Sequence, residues 1–477
     1  MATTGDHDRA DVAIVGAGLS GLVAGAILTR HGRRVVVLEH ADQVGGRGGA
    51  TLTTGGYWVG FGHRDAHDVG DCQLPWHFGA EAAREAGVEV ALRPVAAPLR
   101  LHRFPEDVVL DGAAWGADGL LGGAETWFEC PRGDVPELRA LVAKLASASD
   151  AERDAAIPTR LGDWLDRATS SPAVRRAVLR MATVIFHPRP EEASLGRFMH
   201  FLGSPGGGPY IPDDEAVGGM QGLMEPWARA LRARGGEIAL GWKPVEILVE
   251  GGRVRGAVAI DRSNAVREVR APVAICTYPA WEVLDVLPRD LVPDELAATA
   301  EALRDHRADL IGWRAGLVRL PTVRATAEPD AHAGWNRLLR GPDRDYHGGF
   351  QITSLSSRRA APPGRHLLEL VIARFAAPGA PPASESWSAA RARVDEAIAY
   401  LRRFYADLDD CLEWSSYVWV EAPQSMSWAW APVRRHGLTV AGIDGLLLAG
   451  STIESPARIV DLSAWAGLAA AHHVLGA

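Results

Sequence analysis

Asp11-Val12-Ala13-Ile14-Val15-Gly16-Ala17-Gly18-Leu19-Ser20-Gly21-Leu22 runs from a short apolar strand, through three glycines at G-x-G-x-x-G spacing, into a helical repeat. A second apolar strand, Val35-Val36-Val37-Leu38, then ends in Glu39. Gly16 permits a tight strand-to-helix turn, Gly18 lets backbone approach a pyrophosphate, and Gly21 lets the helix pack closely on the sheet. The unpaired N–H groups where Leu19 and Ser20 open the helix face the phosphates. Glu39 stands where a carboxylate accepts hydrogen bonds from a ribose and repels a 2′-phosphate. The expected ligand is an ADP-containing dinucleotide.

The surroundings strengthen this reading, because glycine triplets occur by chance in a chain with 52 glycines. Leu19, Leu22, Val23, Ala26 and Ile27 follow the spacing of a helix with one buried face, and Gly32 stands at its expected stop. Past Glu39 comes Val44-Gly45-Gly46-Arg47-Gly48-Gly49, a second glycine-rich loop. A nicotinamide dehydrogenase has no evident need for that loop, whereas a longer flavin dinucleotide must be covered along its ribityl chain and pyrophosphate. FAD is favoured over NAD.

The 477 residues set a length prior of two large units or about three ordinary ones. A net charge of −9 argues against nucleic acid as a partner. Cys72, Cys130, Cys276 and Cys411 form no C-x-x-C pair, which implies neither a disulfide framework nor a zinc site and fits a reducing, cytoplasmic compartment. The polar start does not read as a signal peptide, and no transmembrane run is expected.

Strand-helix alternation lapses from about residue 71 to 212, where helical stretches are expected. It returns at Gly218-Gly219-Met220, with a helix stopped by Gly235-Gly236 and strands at 237–240, 245–250, 253–260 and 273–276. Further strands are expected at 310–315, 350–354 and 367–373, and a helix at 388–405. A buried strand at 445–450 and a helix from Leu462 to Leu475 close the chain. The expected fold class is α/β: a Rossmann-like FAD-binding domain (1–70, 213–287 and 433–477) interleaved with a mixed α+β substrate domain (71–212 and 288–432).

These pieces resemble the FAD-dependent superfamily of phytoene desaturases, carotenoid isomerases, retinol saturases and flavin amine oxidases. The matching stretches are residues 11–22, Val35-Val36-Val37-Leu38-Glu39-His40, Val44-Gly45-Gly46-Arg47, Gly218-Gly219-Met220-Gln221-Gly222-Leu223 and Gly445-Leu446-Leu447-Leu448-Ala449-Gly450. The resemblance implies that Gly16, Gly18 and Gly21 hold the pyrophosphate and Glu39 the adenosine ribose. Gly46 and Arg47 would serve the phosphate and ribityl region, and the backbone of Val245 the adenine. Gly450 and Ser451 would meet the ribityl chain, and the helix beginning near Leu462 would aim its N–H groups at the flavin pyrimidine. Binding is expected to be noncovalent, with no metal.

The chain departs from relatives at Gly450-Ser451, where Gly-Asp is usual, and at Pro456-Ala457-Arg458-Ile459, where a glycine run is usual. Arg458 is either a cation near flavin N1/C2=O or a surface partner of Glu454. Four of the 16 tryptophans, Trp414, Trp419, Trp428 and Trp430, gather with Tyr417 before the last strand. Trp428 and Trp430 either flank the flavin, as aromatics here do in amine oxidases, or fill the core. His63 follows Gly56-Tyr57-Trp58 and is either a base beside the flavin or a buried hydrogen-bonded histidine. Gly203-Ser204-Pro205-Gly206-Gly207-Gly208-Pro209-Tyr210 is either a lid or an inert connection.

The expected activity is dehydrogenation of a largely apolar small molecule by hydride transfer to flavin N5, with oxygen or a quinone as electron acceptor. An apolar substrate leaves peripheral membrane contact open. Amine oxidation, redox-neutral isomerisation on reduced flavin, and a flavin-free prenyl-binding carrier of the same fold are the alternatives. Oligomeric state is not legible.

Overall fold

Strands β1 (Val12–Val15) and β2 (Val35–Glu39) are buried along their whole length and pair in parallel, from Val12 with Val35 to Val15 with Leu38. Continuous apolar runs suit a parallel sheet covered on both faces. Helix α1 (Leu19–Arg30) makes the crossover and ends in a Schellman turn. Gly32 adopts φ +75°, its N–H donates to the Thr29 carbonyl at 3.1 Å, and the Arg33 N–H donates to Leu28 at 3.0 Å. Leu446–Leu448, Val273–Cys276, β1, β2 and Glu237–Leu240, in that order, form one five-stranded parallel sheet.

This computed structural model describes residues 9–60, 77–94, 99–104, 108–113, 117–185, 190–203, 210–304, 307–324, 332, 335–340, 347–375, 386–425, 435–457 and 459–476. Among them, no helix is long and apolar enough to cross a membrane.

Helix α1 departs from the one-faced pattern expected of it: every residue from Leu19 to Thr29 is buried. Helices Gln221–Ala233 and Ile459–Leu475 lie against it, and glycines permit the approach. A Cβ on Gly25 would stand 2.4 Å from Leu231 Cδ1, and one on Gly467 would stand 2.4 Å from the Ser20 carbonyl oxygen. The C-terminal helix also starts earlier than expected, at Ile459, so Leu462 lies within it as a core residue and does not open it. Asp461 in its first turn caps a second helix, His77–Ala86, by accepting the Gly79 N–H at 2.8 Å and the Phe78 N–H at 3.3 Å.

A three-stranded antiparallel sheet, Lys243–Glu250, Arg253–Ile260 and Val266–Arg270, follows the parallel sheet. Its first turn places Gly251 at φ 59° and Gly252 at φ 73°, the double positive φ of a primed hairpin turn.

The second large sheet has seven strands in the order Leu412–Ser425, Arg307–Leu317, His366–Phe375, His347–Ile352, Trp335–Arg340, Leu99–Phe104 and Val108–Ala113. Helix Trp387–Phe404 covers one face, burying Ile311, Leu370, Ile372 and Val394. The strand expected at 350–354 stops at Ile352 because Thr353–Ser356 forms a helical turn. The 99–113 hairpin falls in a stretch read as helical. Its alternation is disguised because the buried position His102 is polar, bonded to Tyr400 Oη at 2.7 Å and Asn336 Oδ1 at 2.8 Å.

The uncovered-by-helix face of this sheet carries Leu310, Arg314, Leu367, Glu369 and Trp414 by strand alternation. It meets the segment that follows the second glycine loop. Leu367 and Trp414 pack with Tyr57 and Val59, Tyr57 Oη donates to Glu413 at 2.5 Å, and Arg314 donates to the Gly60 carbonyl.

Candidate dinucleotide site

At the exit of β1, Gly16 takes φ +99°, and a Cβ there would stand 2.4 Å from Thr277 Oγ1. A Cβ on Gly21 would stand 2.1 Å from the Gly16 carbonyl oxygen. Gly18 differs: it is the N-cap residue of α1, and a Cβ there would meet nothing within 4 Å. Open space therefore lies in front of the helix start, where the first N–H groups of α1 lack intrahelical partners.

The second glycine loop closes over this turn. Gly18 and Gly45 form a parallel bridge, the Gly45 N–H donates to the Ala17 carbonyl at 2.8 Å, and a Cβ on Gly46 would stand 3.4 Å from Gly18 Cα. Gln221, in the matched Gly-Gly-Met-Gln stretch, accepts the Ala50 N–H at 3.1 Å and donates to the Val44 carbonyl at 3.3 Å. The sequence reading passed over Gln221, although its place opening a buried helix beside two glycines was the available signal.

Arg47 extends from this loop and donates to Ser451 Oγ at 3.0 Å, a contact between residues 404 positions apart. Its Nη1 atom is shut off from solvent and has no hydrogen-bond partner. Burial lowers its pKa, and the field of Glu282 opposes that shift. A buried guanidinium nitrogen without a partner, on a loop that packs over an open helix start, fits an anionic phosphate ligand.

Glu39 is 3% exposed and ends β2. Its Oε2 accepts the Ala17 N–H at 2.7 Å, and its Oε1 accepts the Ala41 N–H at 2.8 Å and lies 2.9 Å from His40 Nδ1. Burial pushes its pKa up, but the bonds to His40, Ala41 and Ala17 prevail and hold it below the ordinary carboxylate value. Val245 lies in the strand that follows Trp242, whose N–H donates to the Glu39 carbonyl at 2.8 Å. It is the extra residue of a bulge: pairing jumps from Pro244 with Ala259 to Glu246 with Val258.

Gly450 sits against the turn after Val273–Cys276, where a Cβ would stand 2.4 Å from the Tyr278 carbonyl oxygen. Tyr278, which the sequence reading also passed over, lays its ring beside Gly16, and burial raises its pKa strongly. Cys276 is buried, and burial pushes its thiol up to about 12, so it is an inert group.

The fold thus gathers Gly16, Gly18, Gly21, Glu39, Gly46, Arg47, Gly450 and Ser451 around one turn, with Leu19 and Ser20 buried in the first turn of α1. Leu462 sits inside its helix as core. Tyr417 and Trp419 lie on the helix-covered face of the seven-stranded sheet, their rings 5.8 and 5.7 Å from that of Trp387. Of the described aromatics in that group, Trp414 alone faces the glycine-loop side. His63, Trp428, Trp430, Arg458 and residues 204–209 lie outside the described residues.

Residues 14–71 match the NAD(P)-binding Rossmann-like domain. No curated protein matches the sequence. Among solved structures, the chain is similar to an oxidoreductase from Methanosarcina mazei (TM-score 0.67, 16% identity, 97% of this chain and 99% of that one). It is also similar to a triple mutant of putrescine oxidase (0.62, 15%, 98% and 99%). Cyclohexylamine oxidase from Brevibacterium oxydans IH-35A is a further match (0.61, 15%, 98% and 99%). The chain therefore opens with a Rossmann-like dinucleotide-binding unit and has, over nearly its whole length, the fold shared by these oxidoreductase and amine oxidase structures.

Proposed function

We propose that the chain is an FAD-dependent oxidoreductase that binds its cofactor noncovalently and dehydrogenates a largely apolar small molecule. The observation that carries this reading is the unpartnered, buried Nη1 of Arg47, on the loop whose Gly46 packs against the open helix start at Gly18. In this reading Arg47 and the first amides of α1 hold the pyrophosphate, and Glu39 the ribose. The backbone at Val245 receives the adenine, and Gly450 and Ser451 border the ribityl chain. When bound, a flavin would supply a two-electron acceptor at N5, with oxygen or a quinone as the final electron acceptor.

On the substrate side, Leu310 and Val371, with Leu367 and Trp414 packed against Tyr57 and Val59, make this face of the seven-stranded sheet largely apolar, broken by the paired Arg314 and Glu369. This face supports an apolar substrate body. His63, Trp428 and Trp430 remain candidates for contacts at the ring, and the free buried cysteines suit a cytoplasmic enzyme.

Amine oxidation is the second reading, favoured by the shared fold with putrescine and cyclohexylamine oxidases. Anaerobic mixing of the yellow protein with isoprenoid-like alkenes and with primary amines separates the two. Bleaching by the alkenes supports desaturation, and bleaching by amines alone replaces it with amine oxidation.

A further inference from the structure

Arg435 is 9% exposed, and its Nη1 atom is shut off from solvent with no hydrogen-bond partner. Burial drives its pKa down to about 10 against the field of Glu454. Glu454 is itself exposed, and no ion pair among the described residues joins the two. Burying a guanidinium is strongly unfavourable unless an anion compensates it.

The chain fixes Arg435 beside residues 451–457. The next residue, His436, pairs in parallel with Ile453, and its carbonyl accepts the Glu454 N–H at 2.9 Å. Two more arginines reach the same loop. Arg47 donates to Ser451, and Arg197, 3% exposed, donates to the Ser455 carbonyl at 3.5 Å. Within residues 451–457 the one acid is Glu454. His436 supplies no further charge. Burial holds its pKa below the ordinary imidazole value, its Nδ1–H donates to the Gly437 carbonyl at 2.9 Å, and its Nε2 accepts from Thr452 Oγ1 at 2.8 Å.

We propose that Arg435 anchors a second anion site at this loop, apart from the phosphate cradle at Arg47, and that it receives the carboxylate of an organic substrate. A guanidinium fork matches a carboxylate in a way a point charge does not. The two arginines come from separate parts of the chain. Arg197 projects from helix Leu195–Leu202 of the helical insertion, and Arg435 lies on the chain returning from the seven-stranded sheet. An acid bound here lies between those segments and the loop that carries Ser451. The substrate then has an apolar body and one carboxylate. Assigning the anion to a substrate rests on the oxidoreductase reading; the presence of an anion site does not.

The test is calorimetric titration of the protein as purified with benzoate, its neutral isostere benzamide, and inorganic phosphate, in the wild type, Arg435→Gln and Arg435→Lys. The expected result is benzoate binding at least about tenfold tighter than benzamide and phosphate, the effect of one charge-assisted hydrogen bond. Arg435→Gln erases the preference and Arg435→Lys keeps part of it. Melting of each variant checks that it is folded. Equal binding of benzoate and benzamide, undetectable benzoate binding, or a preference unchanged in folded Arg435→Gln overturns the site. Phosphate binding as tight as benzoate overturns the carboxylate assignment. The heat signal does not depend on the cofactor: a colourless protein that keeps the preference counts against the flavin, and a yellow one without it counts against Arg435.

Discussion

Glu39 Oε2 accepts a 2.7 Å hydrogen bond from the Ala17 amide, so the carboxylate that ends β2 braces the glycine turn that leaves β1. The residue positioned for a ribose is thus also a structural strut, and its two roles separate experimentally. Glu39→Gln removes the charge from a buried acceptor that serves the amides of Ala17 and Ala41, at a cost of about 1.5–3 kcal/mol. The cofactor-free protein is expected to melt lower by that amount, and dinucleotide affinity to fall with it. An unchanged melting temperature in cofactor-free Glu39→Gln contradicts the bracing role.

Gly18 and Gly21 give opposite predictions for one substitution. Alanine at Gly18, where φ is −71° and a Cβ meets open space, leaves folding intact and fills the room in front of the helix. Alanine at Gly21 drives a Cβ to 2.1 Å from the Gly16 carbonyl oxygen. The helix propensity gained there is about 1 kcal/mol, and overpacking against rigid backbone costs about 1–3 kcal/mol or more, so the clash prevails. Denaturant melts and cofactor titrations of both variants check this. Loss of stability in Gly18→Ala, or wild-type stability in Gly21→Ala, refutes the geometry of the turn.

His40 lies 2.9 Å from Glu39, and that bond raises its pKa above the ordinary 6.5. A raised imidazole contributes stability that is full below 6.5 and disappears as pH climbs through the higher folded value. The ring is largely exposed, so the effect is modest. Melting temperatures of the wild type and His40→Gln are expected to differ most near about pH 5.5 and converge by about pH 8. A gap that widens with pH reverses the sign and excludes the pairing.

Arg314 and Glu369 face each other across neighbouring strands, Nε to Oε1 at 3.4 Å, with side chains 11% and 2% exposed. Thr353 Oγ1 donates to Glu369 Oε2 at 2.7 Å, and Arg314 ties the sheet to Gly60. Burial lowers the Arg314 pKa, and Glu369 opposes that. Removing either partner leaves a buried charge and costs about 3–5 kcal/mol, whereas Arg314→Met with Glu369→Leu costs less than either single change. A double-mutant cycle with purely additive losses shows that the pair is not coupled.

What was legible in the sequence follows from how local its cause is. The glycine turn, the helix stop at Gly32, the hairpin at Gly251-Gly252 and the strand at Val273–Cys276 are set by a few neighbouring residues, and they read correctly. The all-round burial of α1 was also legible, since Leu19 to Thr29 carry no charged residue, but a one-faced template hid it. The 99–113 hairpin was missed because His102 is buried through bonds to Tyr400 and Asn336, remote in sequence. Arg47 was singled out only through the family resemblance of its loop. Arg435 was not legible, because nothing near it in the sequence shows that its Nη1 is buried without a hydrogen-bond partner.

The central claim is the identity of the dinucleotide held at Gly18 and Arg47, and the most direct measurement is identification of the nucleotide released when the purified protein is denatured. The account predicts a yellow protein that releases FAD at about one per chain into the soluble fraction, as a noncovalent flavin does. Release of a nicotinamide dinucleotide, or a colourless protein that added FAD does not restore, contradicts it.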